Sequence, residues 1–516
     1  MSKKPSQYPV VDVFAGPGGL GEGFASFLAD ENPRFHSVAS IEREEFSHQT
    51  LLLRHFFRSF PNGEAPDEYY KYLSNEIRIE DLFNCYKNEF DEAKNSALRI
   101  SLGPENHDQV KRIIGSRISG TNKWALVGGP PCQAYSLVGR SRMMGNPGFE
   151  RDERHFLYRE YLKIIVDHQP PVFVMENVKG LLSAKINGKP LINRIVSDLS
   201  QPKAALEKGS NGLGYRLFSL SEEETPEGDI DPRLFLVRAE NYGVPQARHR
   251  MFIVGIRSDL DIKPRTLRSQ RSPTVAQTIG NLPEIRSGIS RGRDSAEKWK
   301  KEIAALSKLN LKKQLNGNPF SGEIISTINS LSNENSHPVE RVSLRYPSRP
   351  RVRHESLNST YDRRLTVLTG HEARAHMPSD LRRYMFASVY ASTVGKSPKL
   401  ADFPRSLLPA HKNVEQGRSG TMFSDRFRVQ LPDQVSTTIT SHISKDGHYF
   451  IHYDPSQCRS LTVREAARLQ TFPDNYKFEG PRTSQYHQVG NAVPPYLARQ
   501  IAEIIAEVLD SMKGNP

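Results

Sequence analysis

The side chains in this chain best suited to covalent chemistry are one cysteine, one glutamate and a pair of arginines. Cys132 sits in Gly128-Gly129-Pro130-Pro131-Cys132-Gln133-Ala134-Tyr135-Ser136. On a rigid loop a thiolate can serve as a nucleophile; a small buried thiol is the bland alternative. Glu176 follows the apolar run Val172-Phe173-Val174-Met175. A carboxyl at the end of a buried strand loses solvent, its pKa rises, and it can act as a general acid or base. Taken alone, it reads first as a glutamate that caps a helix or holds a salt bridge. Arg248 and Arg250 flank His249, so in an extended segment both guanidinium groups face one side. Such a pair suits a phosphate or a base carbonyl oxygen, and a surface ion pair is the competing reading.

These groups need strands to present them. Trp124-Ala125-Leu126-Val127 reads as a buried strand running into the cysteine loop, where two glycines and two prolines end it. Tyr8 to Phe14 reads as a first buried strand, followed by Ala15-Gly16-Pro17-Gly18-Gly19-Leu20-Gly21 and a helix through Leu28. A strand, a glycine turn and a helix make a dinucleotide-type ligand site, because glycines let backbone approach a ligand. Ser37 to Ile41 reads as a second strand ending in Glu42, placed to accept hydrogen bonds from a ribose diol. In open α/β sheets, ligands collect at the carboxyl ends of the strands.

Elsewhere, helices are expected over Glu44–Phe57, Asp67–Leu73, Asp81–Leu98 and Phe156–Val166, with a third strand at Ile77–Leu82. Tyr215–Leu220 and Leu234–Arg238 read as a strand pair joined by the acidic insert Glu222-Glu223-Glu224, before a strong strand at Met251–Ile256. The Gly/Arg/Met-rich stretch 140–154 has the composition of a loop that closes over a polyanion, or of a plain solvated loop. From Ser258 to Leu431 the chain is basic and poor in strands, densest at Arg345-Tyr346-Pro347-Ser348-Arg349-Pro350-Arg351-Val352-Arg353-His354. Arginines mixed with aromatics suit a nucleic-acid surface; a solvated insert is the alternative. Regular structure is expected again at Gln434–Thr440 and Tyr449–Tyr453, with a capping box at Thr462 and Glu465 and a last amphipathic helix over Tyr496–Leu509.

Composition bounds the class. The 516 residues allow two or three domains. Hydrophobic residues make up 37% of the chain, and no apolar run reaches the about 18 residues of a membrane span. The polar start Met1-Ser2-Lys3-Lys4 is unlike a signal peptide, so a cytoplasmic, nucleoid-associated location is expected. Three cysteines without paired spacing argue against a disulfide framework or a zinc site, and no metal is expected. Lys plus Arg number 71 against 58 Asp plus Glu, a net charge of +13, which favours a polyanionic partner.

The order of the motifs is more informative than any one of them. Phe-Ala-Gly-x-Gly-Gly, an acid-ended strand, Pro-Pro-Cys-Gln, Glu-Asn-Val, Gln-x-Arg-x-Arg and a late Gly490-Asn491-Ala492-Val493-Pro494-Pro495 occur in succession. This resembles the DNA cytosine-5 methyltransferase family over residues 8–258 and 434–510. The resemblance implies an α/β fold with a doubly wound, Rossmann-like mixed sheet and a second, smaller domain. The catalytic and cofactor domain is expected over 1–258, completed by 485–516, with target recognition over 259–484 and double-stranded DNA between the two. It implies catalysis by Cys132, Glu176, Arg248 and Arg250 on a flipped-out cytosine. It also implies S-adenosyl-L-methionine, giving S-adenosyl-L-homocysteine, held at Phe14, Ala15, Gly16, Gly18, Gly19, Leu20, Glu42, Arg43, Pro130, Leu157, Asn491, Ala492 and Val493. A monomer serving a restriction or related defence system is the expected setting. The family's third cofactor acid has no clear counterpart, Asp81 being the guess. An RNA-directed relative, a catalytically dead DNA-binding protein and a nicotinamide dehydrogenase are the rivals. The long basic insert, the joint presence of Cys132, Glu176 and Arg250, and the Asn491 segment speak against them in turn.

Overall fold

A computed structural model describes residues 7–61, 64–131, 154–186, 188–207, 210, 212–222, 231–290, 292–333, 337–350, 352–410, 414–420 and 424–512. Two compact units result, one of residues 1–72, 77–271 and 492–516, the other of residues 73–76 and 272–491.

The first unit is built on one sheet. Its strands are β1 (Tyr8–Val13), β2 (Phe35–Glu42), β3 (Ala97–Arg99), β4 (Ala125–Gly128), β5 (Val172–Val178), β6 (Tyr215–Phe218), β7 (Leu236–Arg238) and β8 (His249–Arg257). Their order is β6-β8-β5-β4-β1-β2-β3, with β7 also on β8. Strands β3, β2, β1, β4 and β5 run parallel, and β8 pairs antiparallel with β5, β6 and β7.

Successive residues of the central strands feed opposite faces, as a pleat requires. Val10, Val127, Val174 and Val254 join one core with α1 (Gly19–Ala25) and the last helix, Pro495–Ser511. Val11, Leu126, Phe173 and Ile253 join the other, with Ile114, Tyr161, Ile165 and Ile195 from the opposite helical layer. Both faces being covered explains why these strands read as continuous apolar runs rather than alternating ones. The result is a doubly wound α/β sandwich with a mixed sheet, as expected.

Three expectations are corrected. The helix α1 stops at Ala25 rather than Leu28, because Leu28–Ala29 pairs with Asn32–Pro33. The helices α2 (Glu45–Arg58) and α3 (Asp67–Leu73) match their expected places, but Ile77–Leu82 is not a strand. Ile79–Cys85 is α4, with the Asp81 carboxylate accepting from the Arg78 amide and guanidinium at its start, and Lys87–Ser96 is α5, so the third strand is pushed to Ala97–Arg99. Asp81 therefore lies on a helix, paired with Arg78, and not at a strand end. Finally, β6 and β7 do not pair with each other; each lies along β8.

The remaining helices of the first unit include α6 (His107–Arg117), α7 (Arg154–His168) and α8 (Leu191–Ser200). In the second unit, α9 (Ala296–Ala304), α10 (Ser321–Asn333) and α11 (Pro378–Val394) bury Trp299, Ile303, Ile324, Ile328, Tyr384, Met385 and Val389 in a core of their own. The stretch between Ser258 and Leu431 thus carries packed helices rather than a solvated insert. Only Ser436–Thr437 is strand within Gln434–Thr440, and 449–453 contributes isolated bridges at Ile451. The Thr462–Glu465 capping box does open α12 (Val463–Leu469), which is followed by α13 (Arg482–Asn491) and, back in the first unit, α14 (Pro495–Ser511). Among the described residues no helix is long and apolar enough to cross a membrane.

Candidate active site

The parallel strands end on one edge of the sheet, and the first group there is the turn after β1. Phe14, Gly16 and Gly18 all take positive φ, at 58°, 58° and 94°. Such values suit glycine but strain a phenylalanine, and strain of this kind gathers at ligand sites. The turn is tied across to the end of β2. Glu42 Oε2 accepts from the Gly16 amide at 2.9 Å, and Oε1 accepts from the Arg43 and Glu44 amides at 2.9 and 2.7 Å. Glu44 in turn caps α2 through the Phe46 and Ser47 amides. Helix α1 then leaves the turn against the last segment of the chain. A Cβ on Gly19 would lie 2.3 Å from the Val493 carbonyl oxygen and 3.3 Å from Ala492 Cβ. Only glycine permits that approach. Ala15, Leu20, Ala492 and Val493 are buried around it, whereas Arg43 is exposed.

The second group lies where β4 and β5 end side by side, with Gly128 opposite Met175. Asn177 Nδ2 donates to the Pro130 carbonyl at 3.2 Å. A Cβ on Gly129 would stand 2.9 Å from Glu176 Oε2. The loop that leads to the cysteine therefore starts against the glutamate. Cys132 itself, with all of the 140–154 stretch but residue 154, lies outside the described residues.

The antiparallel neighbour β8 supplies Arg250, and Arg248 lies just before its first residue, His249. Its register puts Phe252 opposite Glu176 and Arg250 opposite Val178, a diagonal within reach of long side chains. Arg250 Nε meets Glu176 Oε1 at 3.1 Å, with 15% and 13% of the two side chains exposed. Arg248 is buried and its charge also acts on Glu176. Burial raises the Glu176 pKa above its ordinary 4.5, against the pull of Arg250 and Arg248. Burial likewise lowers both arginines, Arg248 further because Arg250 is beside it. A carboxyl and two guanidinium groups thus share a desolvated corner, the setting in which a carboxyl can keep a proton.

A family model for the C-5 cytosine-specific DNA methylases matches residues 81–507 of the chain. The chain belongs to that family. Type II methyltransferase M.Bpa9945I of Bacillus paralicheniformis is 33% identical over 97% of this chain and 99% of its own length. Type II methyltransferase M.DdeI of Desulfomicrobium norvegicum is 24% identical over 96% of this chain and 88% of its own. Among solved structures, a prophage-encoded E. coli protein described as a DNA modification methyltransferase shares the fold. Its TM-score is 0.50 at 19% identity, covering 98% of this chain and all, 100%, of that one. This C-5 cytosine-specific methylase is an S-adenosylmethionine-dependent DNA methyltransferase.

The turn of this methylase has a shape that fits such a cofactor. A Cβ at Gly16 would meet nothing within 4 Å, so space is open before the turn. Glu42 Oε2 accepts one hydrogen bond where Oε1 accepts two, which leaves an acceptor position for a hydroxyl. Leu157 is half-buried on α7, and Asn491 is the exposed last residue of α13, in the second unit.

Some positioning groups lay outside the candidate set. Gly129 and Asn177 were visible only as neighbours of the candidate residues Cys132 and Glu176, and their packing depends on the β4/β5 register. Buried Glu22 on α1 forms an ion triad with buried Arg54, at 2.6 Å, and half-buried Arg58, both on α2. Burial raises its pKa, but the two guanidinium groups overcome this and hold it at about 2. The triad locks the two helices that follow the β1 turn and Glu42. Asp12, wholly buried in β1, is pushed up to about 8 by desolvation, with the Gly21 amide opposing. An acid inside a strand that otherwise reads as apolar was the signal for it.

Proposed function

We propose that this methylase methylates C5 of a flipped-out cytosine in a specific duplex DNA sequence, through a covalent adduct between Cys132 and cytosine C6. Residues 1–258 with 485–516 are the catalytic domain in this reading, and 259–484 the target-recognition domain. The observation that carries it is Glu176: a desolvated carboxyl touching the base of the cysteine loop on one side and Arg250 on the other.

The chemistry accounts for each group. A thiolate adding to C6 forms the S–C6 bond, and the C5=C6 electron pair becomes available at C5. Negative charge grows toward N3 and O2 of the ring. Glu176, holding its proton, donates to N3; Arg250, backed by Arg248, holds O2. When bound, S-adenosylmethionine supplies the methyl group and leaves as S-adenosylhomocysteine. Phe14 covers the adenine, the Gly16–Gly19 backbone lets the methionine portion approach, and Glu42 accepts from the ribose. Ala15, Leu20, Arg43, Pro130, Leu157, Asn491, Ala492 and Val493 complete the contacts. Loss of the C5 proton to a base then re-forms C5=C6 and expels the thiolate. Because C5 is buried in a duplex, the base must leave the stack.

The reading extends to a setting. Two relatives are named Type II methyltransferases, which supports self-marking beside a restriction or related defence enzyme, by a monomer acting on chromosomal DNA.

Bisulfite sequencing of DNA from a host without cytosine methylation tests this. Expression of the wild-type chain gives methylated cytosines in one recurring sequence, and Cys132→Ser gives none. Purified wild-type protein forms a covalent adduct with that sequence carrying 5-fluorocytosine. Residual turnover by Cys132→Ser, or no adduct, overturns the nucleophile assignment.

A further inference from the structure

Resting on the reading of the chain as a DNA methylase, we infer that a two-stranded ribbon in the second unit, residues 339–349 against 367–373, reads base edges of the target. Arg345 and Arg349 are its contacts and Tyr346 its positioning residue.

The ribbon is defined by its ladder. Arg341 O accepts from Ala373 N at 2.9 Å, Ser343 N donates to His371 O at 3.2 Å, and Leu344 O accepts from Leu368 N at 2.8 Å. A two-stranded ribbon is one of the few shapes that enter the major groove of duplex DNA. Its outward surface is unusual for a solvated hairpin. Val339, Val342 and Leu344 are 57%, 43% and 55% exposed, three large apolar side chains within six residues. Apolar groups at such a surface suit thymine methyl groups. Residues 339–349 carry three arginines against one glutamate. Arg341 is occupied by Glu372 and Asp294. Arg345 is exposed, and its guanidinium has no hydrogen bond or ion pair among the described residues. Arg349 is exposed, and among the described residues its guanidinium has one hydrogen bond, to Asn358 Oδ1 at 3.2 Å. Charge complementarity therefore selects a polyanion as the occupant, and the apolar residues beside the arginines select base edges over bare phosphate.

What distinguishes this ribbon from a floppy basic loop is its anchor. The Tyr346 hydroxyl donates to Asp474 Oδ2 at 3.0 Å and accepts from the Asp362 amide at 2.9 Å. Its ring stacks on Tyr361 at 5.4 Å. Two residues on, the Ser348 carbonyl accepts from Asn281 Nδ2 at 2.9 Å. Both supports lead to one buried guanidinium. Arg468 on α12 holds Asp474 through two bonds, of 2.9 and 2.7 Å, and donates to Asn281 Oδ1 at 2.7 Å. The tip is thus fixed on both sides of Pro347 by the Arg468–Asp474 pair. Preorganisation of this kind turns exposed arginines into discriminating contacts, since the groups need not be ordered on binding.

The test compares kcat/KM on the target sequence, found by bisulfite sequencing, with kcat/KM on every single-base-pair variant of it. For an Arg345→Ala, Arg349→Ala double variant the discrimination ratio falls roughly 5- to 150-fold at one or two positions and is unchanged elsewhere. Tyr346→Phe keeps the ring but removes both hydroxyl bonds. It lowers the ratio at the same positions and raises KM for DNA, while kcat at saturating DNA and cofactor affinity stay as in the wild type. A ratio unchanged at every position overturns the inference. A loss uniform across all sequences, with a shallower salt dependence, also overturns it, since that marks phosphate contact alone. A wild-type chain that methylates no DNA overturns the underlying function and this inference with it. An active wild type with indifferent ribbon variants overturns this inference only.

Discussion

Two adjacent glycines separate stability from chemistry in this site. Neither Gly128 nor Gly129 has a positive φ, so an alanine at either position is tested on space alone. At Gly128 the new Cβ would stand 2.4 Å from the Val13 carbonyl oxygen and 2.8 Å from Val13 Cγ2. That oxygen belongs to the backbone of β1, paired with β4 at this point. It cannot yield without parting two central strands, so Gly128→Ala costs about 2–3 kcal/mol of stability, the upper part of the overpacking range.

At Gly129 the nearest atom is Glu176 Oε2, at 2.9 Å, and the next are at 3.6 and 3.9 Å. A carboxylate tip can swing aside, so the stability cost stays below about 1 kcal/mol. The same swing takes the carboxyl off its line with Arg250. A displacement approaching 1 Å in a group that must meet a ring nitrogen lowers the chemical step by about 100-fold. Chemical denaturation of both variants, alongside single-turnover methyl transfer at saturating DNA and cofactor, resolves the two effects. The expected result is an unstable Gly128→Ala enzyme and a stable, slow Gly129→Ala enzyme. Gly129→Ala turnover within about 2-fold of wild type, or equal destabilisation by both changes, refutes the placement of Glu176 against the loop.

Other perturbations follow from the same geometry. Glu42→Ala leaves the Gly16, Arg43 and Glu44 amides without their acceptor; it weakens cofactor binding by about 10- to 100-fold and stability by about 1–3 kcal/mol, checked by calorimetric titration and thermal melts. Glu22→Gln removes the negative charge that faces Arg54 and Arg58 and costs about 3–5 kcal/mol at neutral pH. Because the folded Glu22 titrates at about 2 rather than 4.5, its contribution is present above 4.5 and is lost as pH falls toward 2. The stability of the Gln variant must therefore fall less steeply over that acid window. Glu176, raised by burial, keeps its proton above the ordinary carboxylate range, so kcat declines as pH rises through its shifted pKa. Glu176→Gln, a fixed neutral donor, flattens that limb at a lower kcat, and a profile with the same limb in both enzymes assigns the proton elsewhere.

The sheet was legible where its strands are buried on both faces. β1, β4, β5 and β8 are apolar runs because each residue meets a helical layer on one side or the other. β3 escaped because three residues, Ala97-Leu98-Arg99, follow α5 without a turn and carry no pattern of their own. The second unit was opaque for a related reason. Its core gathers Trp299, Ile328, Tyr384 and Phe427 from short helices and loops far apart in sequence, and local periodicity does not report such long-range packing. In the site, the reactive residue types were readable but their supports were not. Glu42 looked like a ligand-binding acid, yet its first task is to tie three backbone amides at the turn. The Glu176–Arg250 meeting depends on a diagonal in an antiparallel pair, and nothing local to either motif sets that register.

The antiparallel strand has a further consequence for how the site could be assembled. In the parallel part of the sheet every strand presents its end at the same edge, so Phe14, Glu42, Gly129 and Glu176 arrive there at or next to the ends of β1, β2, β4 and β5. A further parallel strand would also bring only its last residues. β8 runs the other way, so its first residues, His249 and Arg250, lie beside the last residues of β5. The chain can then continue inward from the site as the buried run Met251 to Ile256. Arg250 is thereby rooted in the core strand next to the glutamate, with Arg248 just before that strand begins. That rooting limits their movement and keeps both partners away from water. It also explains the directions of their titration: burial disfavours charge on Glu176 and on both arginines alike. The corner is left poised for a substrate atom that can take a proton from one side while its negative charge is held from the other.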